Sequence, residues 1–177
     1  MRFEPCPLPG AYVIELEPHL DERGFFARTC CEDEFREHGL QTQWPQCNVS
    51  FNTRAGTLRG MHWQDPPHAE VKLVRCTAGA VHDVIVDLRP DSPTRLQHFG
   101  IDLTAENRLQ LYIPEGMAHG FITLQDQTEV FYQMGSSFVP GAGRGARYND
   151  PAFGIAWPRE PEVISERDAQ YPDFMTE

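Results

Sequence analysis

Lysine is almost missing: of the fifteen basic residues in this 177-residue chain, fourteen are arginine and only Lys72 is lysine. Positive charge as a whole is scarce. Twenty-six Asp and Glu leave a formal charge of -11, which opposes a general nucleic-acid-binding surface and attraction to anionic membranes. Long apolar runs are missing too. Nothing approaches the roughly 18 residues of a membrane-crossing helix, and the opening Met1-Arg2-Phe3-Glu4-Pro5 has no secretory hydrophobic region, so a cytoplasmic protein is expected. The five cysteines (Cys6, Cys30, Cys31, Cys47, Cys76) are odd in number and contain no Cys-x-x-Cys pair. That spacing suggests neither a disulfide framework nor a zinc ribbon, and the expectation is reduced packing residues. There is no repeat, no heptad, and no glycine-rich phosphate loop leading into a helix, so any bound nucleotide must be held in another way.

What is present is an ordinary globular composition, 40% hydrophobic and 11% aromatic, enough for one core and one domain over 1–177. Glycine and proline together number 29 and punctuate many short β-like runs, the rhythm of a β-rich sandwich or barrel. Strands are predicted at Val71 to Cys76, Val81 to Leu88, His98 to Leu103, Leu109 to Ile113, Gly120 to Leu124 and Glu129 to Gln133. His82, Val84, Val86 and Leu88 share one face of the second. Glu32 to His38 reads as a helix, acidic at its start, basic at its end and closed by Gly39. Ser165-Glu166-Arg167-Asp168 resembles a capping box opening another. The stretch from Pro140 to Gly145 reads as a surface loop, and the tail from about 159 as a segment packing on the barrel.

Several residue groups carry possible chemistry. In Leu58-Arg59-Gly60-Met61-His62-Trp63, strand alternation alone does not say whether Met61 or His62 points inward. His62 fits either a general base or a hydrogen-bonded structural histidine, and His119, among small residues after Pro114-Glu115-Gly116, is equally open. A metal set could be drawn from His62, His68, Glu70 and His119. Its spacing argues against it, because Asp65-Pro66-Pro67 breaks the strand that would align the first two. Arg23, Arg54, Arg59 and Arg75 lie beside glycines and aromatics, which suits either a small-anion site or scattered surface charge. Phe25, Phe26 and Phe138 read as core or as stacking platforms.

In order along the chain, these pieces resemble the dTDP-4-dehydrorhamnose 3,5-epimerase family, sugar-nucleotide epimerases on a cupin-type jelly roll. The runs that carry the resemblance are Asp21-Glu22-Arg23-Gly24-Phe25-Phe26, Leu58 to His62, Lys72-Leu73-Val74-Arg75, Asp83 to Arg89, Ile113 to Phe121, Asn149-Asp150-Pro151 and Ser165 to Asp168. The resemblance implies a mostly β jelly-roll fold with a few short peripheral helices. It also implies epimerisation at C3 and C5 of a nucleotide-linked 4-keto-6-deoxyhexose by proton abstraction and return, with no metal and no other cofactor. On it, His62 matches the base, Asp168 its carboxylate partner, Tyr132 the opposite-face acid, and Lys72 the cation beside the developing enolate. Arg23 and Arg59 match diphosphate contacts, Gln46 and Asn48 nucleotide-side contacts, His119 a second pocket histidine, and Phe26 an aromatic beside the base. A homodimer that exchanges N-terminal strands is implied, so that some of these residues serve the neighbouring subunit.

Two positions depart from the family pattern. Arg28 stands where a glutamate contacting thymine is expected, and Phe138 where a tyrosine is expected. These changes leave the chemistry intact and make another base, such as cytosine, an alternative. The other readings are a C3-only epimerase, a non-catalytic sugar-nucleotide-binding cupin, and a metal-dependent cupin enzyme.

Overall fold

The computed structural model describes residues 1–174. The chain runs through β1 (Arg2–Pro5), β2 (Tyr12–Glu15), β3 (His19–Asp21), β4 (Gly24–Phe26), α1 (Glu32–Glu37), β5 (Gln46–Asn52), β6 (Thr57–Gln64), β7 (Lys72–Ala78) and β8 (Ala80–Asp87). It continues through β9 (His98–Thr104), β10 (Gln110–Ile113), β11 (Met117–Thr123), β12 (Thr128–Met134), β13 (Gly143–Gly145), β14 (Val163–Ile164) and α2 (Glu166–Ala169). One sheet has the order β1-β2-β10-β7-β12-β5 and the other β13-β6-β11-β8-β9, with β14 parallel to the start of β6; β3 and β4 form a separate hairpin. The jelly-roll sandwich expected from the resemblance is therefore the fold found.

Alternation fixes which residues fill the sandwich. Val74, Cys76, Leu111, Ile113 and Val130 from the first sheet meet Val81, Ile85, Leu103, Met117 and Phe121 from the second. The outer face of the first sheet is closed by α1, whose buried Phe35 packs with Ile14, Leu73 and Tyr112. Helix α1 stops at Glu37, with His38 as its C-cap and Gly39 at φ +68°, one residue short of the predicted end. The outer face of the second sheet, with Met61, Val84 and Val86, is covered by the C-terminal segment through Ala146, Phe153, Trp157 and Phe174.

Two expectations are corrected here. Gly143–Gly145 is a strand, paired with Gln64, Trp63 and His62, and not a free loop. Its glycines give no β signal of their own because they have no side chains to alternate. Cys47 is exposed on the edge strand β5, so the packing role holds for buried Cys76 but not for Cys47.

The feature that positions the site is a bulge in β6. His62 pairs with His119 and Arg59 with Phe121, so three residue steps on β6 face two on β11. The extra residue breaks the alternation. Arg59 and His62, three apart, both turn toward the cleft between the sheets, while Met61 is fully buried on the opposite face. Glycine is required here: Gly60 has φ +130°, and a Cβ on it would sit 2.6 Å from Gly120 Cα. We expect Gly60→Ala to destabilise the fold by more than about 2 kcal/mol in urea unfolding; a loss below about 0.5 kcal/mol would contradict this account of the bulge.

Candidate active site

A cleft of about 470 Å³ opens between the sheets. The second sheet contributes Arg59 and His62 from β6 and His119 from β11. The first contributes Lys72 from β7, Tyr132 from β12, and Asn48 and Ser50 from β5. The tail closes one end with Arg167 and Asp168 from α2.

His62 Nε2 lies 2.7 Å from Asp168 Oδ1, and Asp168 Oδ2 accepts the Gly60 N–H at 3.3 Å. Ser165 caps α2 by accepting the Asp168 N–H at 3.1 Å, but the Asp168 carboxylate does not return the bond that would complete a capping box. It is turned instead to the imidazole. Burial works against the charge on Asp168. The His62 hydrogen bond and charge, the Gly60 N–H and Ser165 together outweigh that cost and hold its pKa below the usual carboxylate value. A carboxylate only accepts, so Nε2 of His62 carries a hydrogen, and in the neutral imidazole Nδ1 keeps its lone pair. The imidazole stays partly open, with 41% of the side chain exposed, whereas the carboxylate behind it is 7% exposed. That is the arrangement of a base with a fixed tautomer.

On the other sheet, the Tyr132 hydroxyl meets Ser50 Oγ at 3.0 Å, and its ring stands edge-on to His119. Burial pushes the phenol pKa well above its ordinary value, against the Ser50 hydrogen bond, so the group stays protonated through the physiological range. His119 is buried, with Nε2 at 2.9 Å and 3.0 Å from the two oxygens of fully buried Asp83. The Lys72 ammonium is 3.1 Å from Glu70 and 3.3 Å from the His62 carbonyl.

Of the residues expected at the site, His62, Tyr132, Asp168, Lys72, Asn48, Arg59, His119 and Phe138 line this one cleft. Gln46 stands behind it, donating to Asn48 Oδ1 at 3.1 Å and accepting the Phe138 N–H at 3.0 Å. Three expected residues are elsewhere. Arg23 and Phe26 are strongly exposed on the β3–β4 hairpin, Arg23 paired with Asp21, and Arg28 pairs with Glu34 at 2.8 Å. None of the three lines the cleft of its own chain. Nor do Arg54 and Arg75: Arg75 points out of the first sheet because Lys72 and Val74 point in. The cleft's further cations are Arg144 and Arg167, which sequence reasoning missed, as it missed the partners Ser50 and Asp83; Glu70 figured there only as a member of the disfavoured metal set. Asp83 and Arg167 fall within the quoted family runs; Ser50 carried no signal. Among the described residues no group of three or more His, Cys, Asp or Glu side chains is arranged to hold a metal ion.

The sequence profile of the dTDP-4-dehydrorhamnose 3,5-epimerase family matches residues 5–176. This chain belongs to that family. It is 39% identical over 169 residues to the dTDP-4-dehydrorhamnose 3,5-epimerase of Shigella flexneri, covering 95% of this chain and 93% of that one. Its fold superposes with TM-score 0.94 on the dTDP-4-dehydrorhamnose 3,5-epimerase of Bacillus anthracis solved with TDP and PPi bound, at 36% identity and covering 98% and 99% of the two chains. It is also similar to a 3'-monoepimerase from Streptomyces bikiniensis solved with dTDP-quinovose, at 32% identity, TM-score 0.88, and 96% and 86% coverage.

The lowered Asp168 pKa gives a stability prediction. A carboxyl whose folded pKa lies below its unfolded value stabilises the fold above the ordinary carboxylate range, and that contribution is lost as pH falls through the folded pKa. Between about pH 5 and pH 2, Asp168→Asn is therefore expected to lose less unfolding free energy than the native chain. Parallel curves in urea titrations over that window would contradict it.

Proposed function

We propose that this chain, as one domain, epimerises C3 and C5 of a nucleoside-diphosphate-linked 4-keto-6-deoxyhexose, of the dTDP-4-dehydro-6-deoxyglucose to dTDP-4-dehydrorhamnose type. The observation that carries the reading is a carboxylate-held imidazole on one sheet and a protonated phenol on the other, lining the same cleft. A 4-keto group acidifies the protons on C3 and C5. His62 Nδ1 removes one, the electron pair moves onto O4 as an enolate, and Tyr132 returns a proton to the opposite face of the carbon. Between events His62 releases its proton to water and Tyr132 regains one. Lys72 stabilises the charge on O4, and Asp168 holds the base and offsets its positive charge. Arg59 binds the diphosphate. Asn48, with Gln46 behind it, contacts the nucleotide side, Phe138 stacks on the base, and His119 lines the sugar end.

Arg23, Phe26 and Arg28 act, on this reading, in the cleft of a neighbouring copy. Supporting it are the exposed apolar side chains of Leu20, Phe25 and Phe26 on the hairpin and of Val49 and Phe51 on the edge strand β5, a surface that suits an exchanged-strand homodimer. Among the described residues no helix is long and apolar enough to cross a membrane, and we place the enzyme in the cytoplasm. The likeness to a 3'-monoepimerase supports a second reading, in which only C3 inverts.

His62→Ala is expected to slow both proton exchange and epimerisation by about 10²- to 10⁴-fold. Tyr132→Phe should keep part of the exchange while losing net inversion, as followed by proton NMR of the sugar. Native rates in the His62 variant would overturn the assignment of the base. Arg28→Glu is expected to shift the preference between thymidine- and cytidine-diphosphate sugars, with kcat less affected than KM. An unchanged preference would remove Arg28 from base recognition.

A further inference from the structure

The only lysine in the chain does not face the cleft alone. Lys72 and Glu70 are both nearly buried, with side chains 8% and 10% exposed and their charged ends 3.1 Å apart. Glu70 is itself gripped: its second oxygen accepts from Gln64 Nε2 at 2.7 Å. Gln64 is buried and fully used. The same amide nitrogen reaches the His68 carbonyl at 3.1 Å, and its oxygen accepts the Val139 N–H at 3.1 Å, next to Phe138. An ammonium has three protons. Its charge is paired with Glu70, and one of its protons goes to the His62 carbonyl at 3.3 Å, so the ammonium is not used up by these two contacts.

We propose that Glu70, held by Gln64, is a positioning residue whose ion pair fixes the Lys72 ammonium so that an N–H of it meets O4 of the sugar as the enolate forms. The proposal rests on the epimerase reading above. Its physical basis is that a flexible four-carbon side chain carrying a point charge stabilises a developing oxyanion only where the charge is already in place, and that a buried charge needs a partner. Glu70 supplies both the partner and the direction.

The sign of the effect separates this role from simple electrostatics. If Lys72 were aimed correctly without help, a carboxylate beside it would only weaken the positive field at O4, and Glu70→Gln would speed the reaction. If Glu70 does the aiming, the same isosteric change slows it. The readout is wash-in of solvent deuterium at C3 of dTDP-4-keto-6-deoxyglucose, measured by NMR in the native background and in the Lys72→Met background. Glu70→Gln is expected to lower kcat for exchange by about 10-fold or more with KM changed less than about 3-fold. In the Lys72→Met background it should change the residual rate by less than about 2-fold, because the group it positions is gone. A faster or unchanged native-background rate overturns the proposal, and so does an equal fold loss in both backgrounds.

If Glu70→Gln fails to fold, judged by loss of dTDP binding in calorimetry, Gln64→Met tests the same point. It keeps the charge pair and removes the grip, so it must slow exchange only where Lys72 is present. Failure of the native chain to exchange at all would sink the epimerase reading instead, which keeps the two outcomes distinct.

Discussion

The hydrogen bond between His62 and Asp168 joins parts of the chain that local structure would leave apart. His62 belongs to β6, deep in the second sheet; Asp168 belongs to a one-turn helix in the tail, 106 residues later. Each end is prepared by backbone geometry. The β6 bulge turns His62 into the cleft and leaves the Gly60 N–H free to bind the same carboxylate, while the Ser165 cap fixes the start of the helix that presents it. Pairing of β14 with the beginning of β6 and of β13 with its end holds the tail along the same edge. The sandwich thus supplies the imidazole and the tail supplies its tautomer, so the carboxylate–imidazole pair exists only when both are folded.

The charge distribution follows a similar division of labour. In a strongly acidic chain most guanidiniums are tied to carboxylates, among them Arg28 to Glu34, Arg89 to Asp87 and Arg144 to Asp65. Two in the cleft are held differently: Arg59 donates to the neutral Asn52 Oδ1 at 2.8 Å, and Arg167 lies over the Tyr171 ring at 5.6 Å. A guanidinium held by neutral partners keeps its charge for a ligand. In a cleft whose low-dielectric walls focus field lines, such cations suit a small anion such as a diphosphate.

Much of this was legible in the sequence, for physical reasons that differ from element to element. Strands β7 to β12 announce themselves because their inward side chains are aliphatic and alternate. Helix α1 and the Ser165 cap are read from terminal chemistry. The face on which His62 sits was not readable, because a bulge is one residue long and leaves no compositional trace beyond Gly60. Strand β13 was hidden by its glycines. Arg23, Phe26 and Arg28 could be matched to a family pattern but not located, since sequence does not say that they stand away from the cleft of their own chain. Asp83 was visible as a residue and silent as a role, and Glu70 was weighed only as a metal ligand, because burial and pairing across strands depend on register that no local pattern contains.

The central claim is that this cleft moves protons at the two carbons flanking a 4-keto group. The most direct measurement is incubation of the native protein in D2O with dTDP-linked and, separately, CDP-linked 4-keto-6-deoxyglucose, counting deuterium at C3 and C5 by NMR. The account predicts deuterium at both carbons with one of the two nucleotides. Absence of deuterium from both carbons with both nucleotides would contradict it.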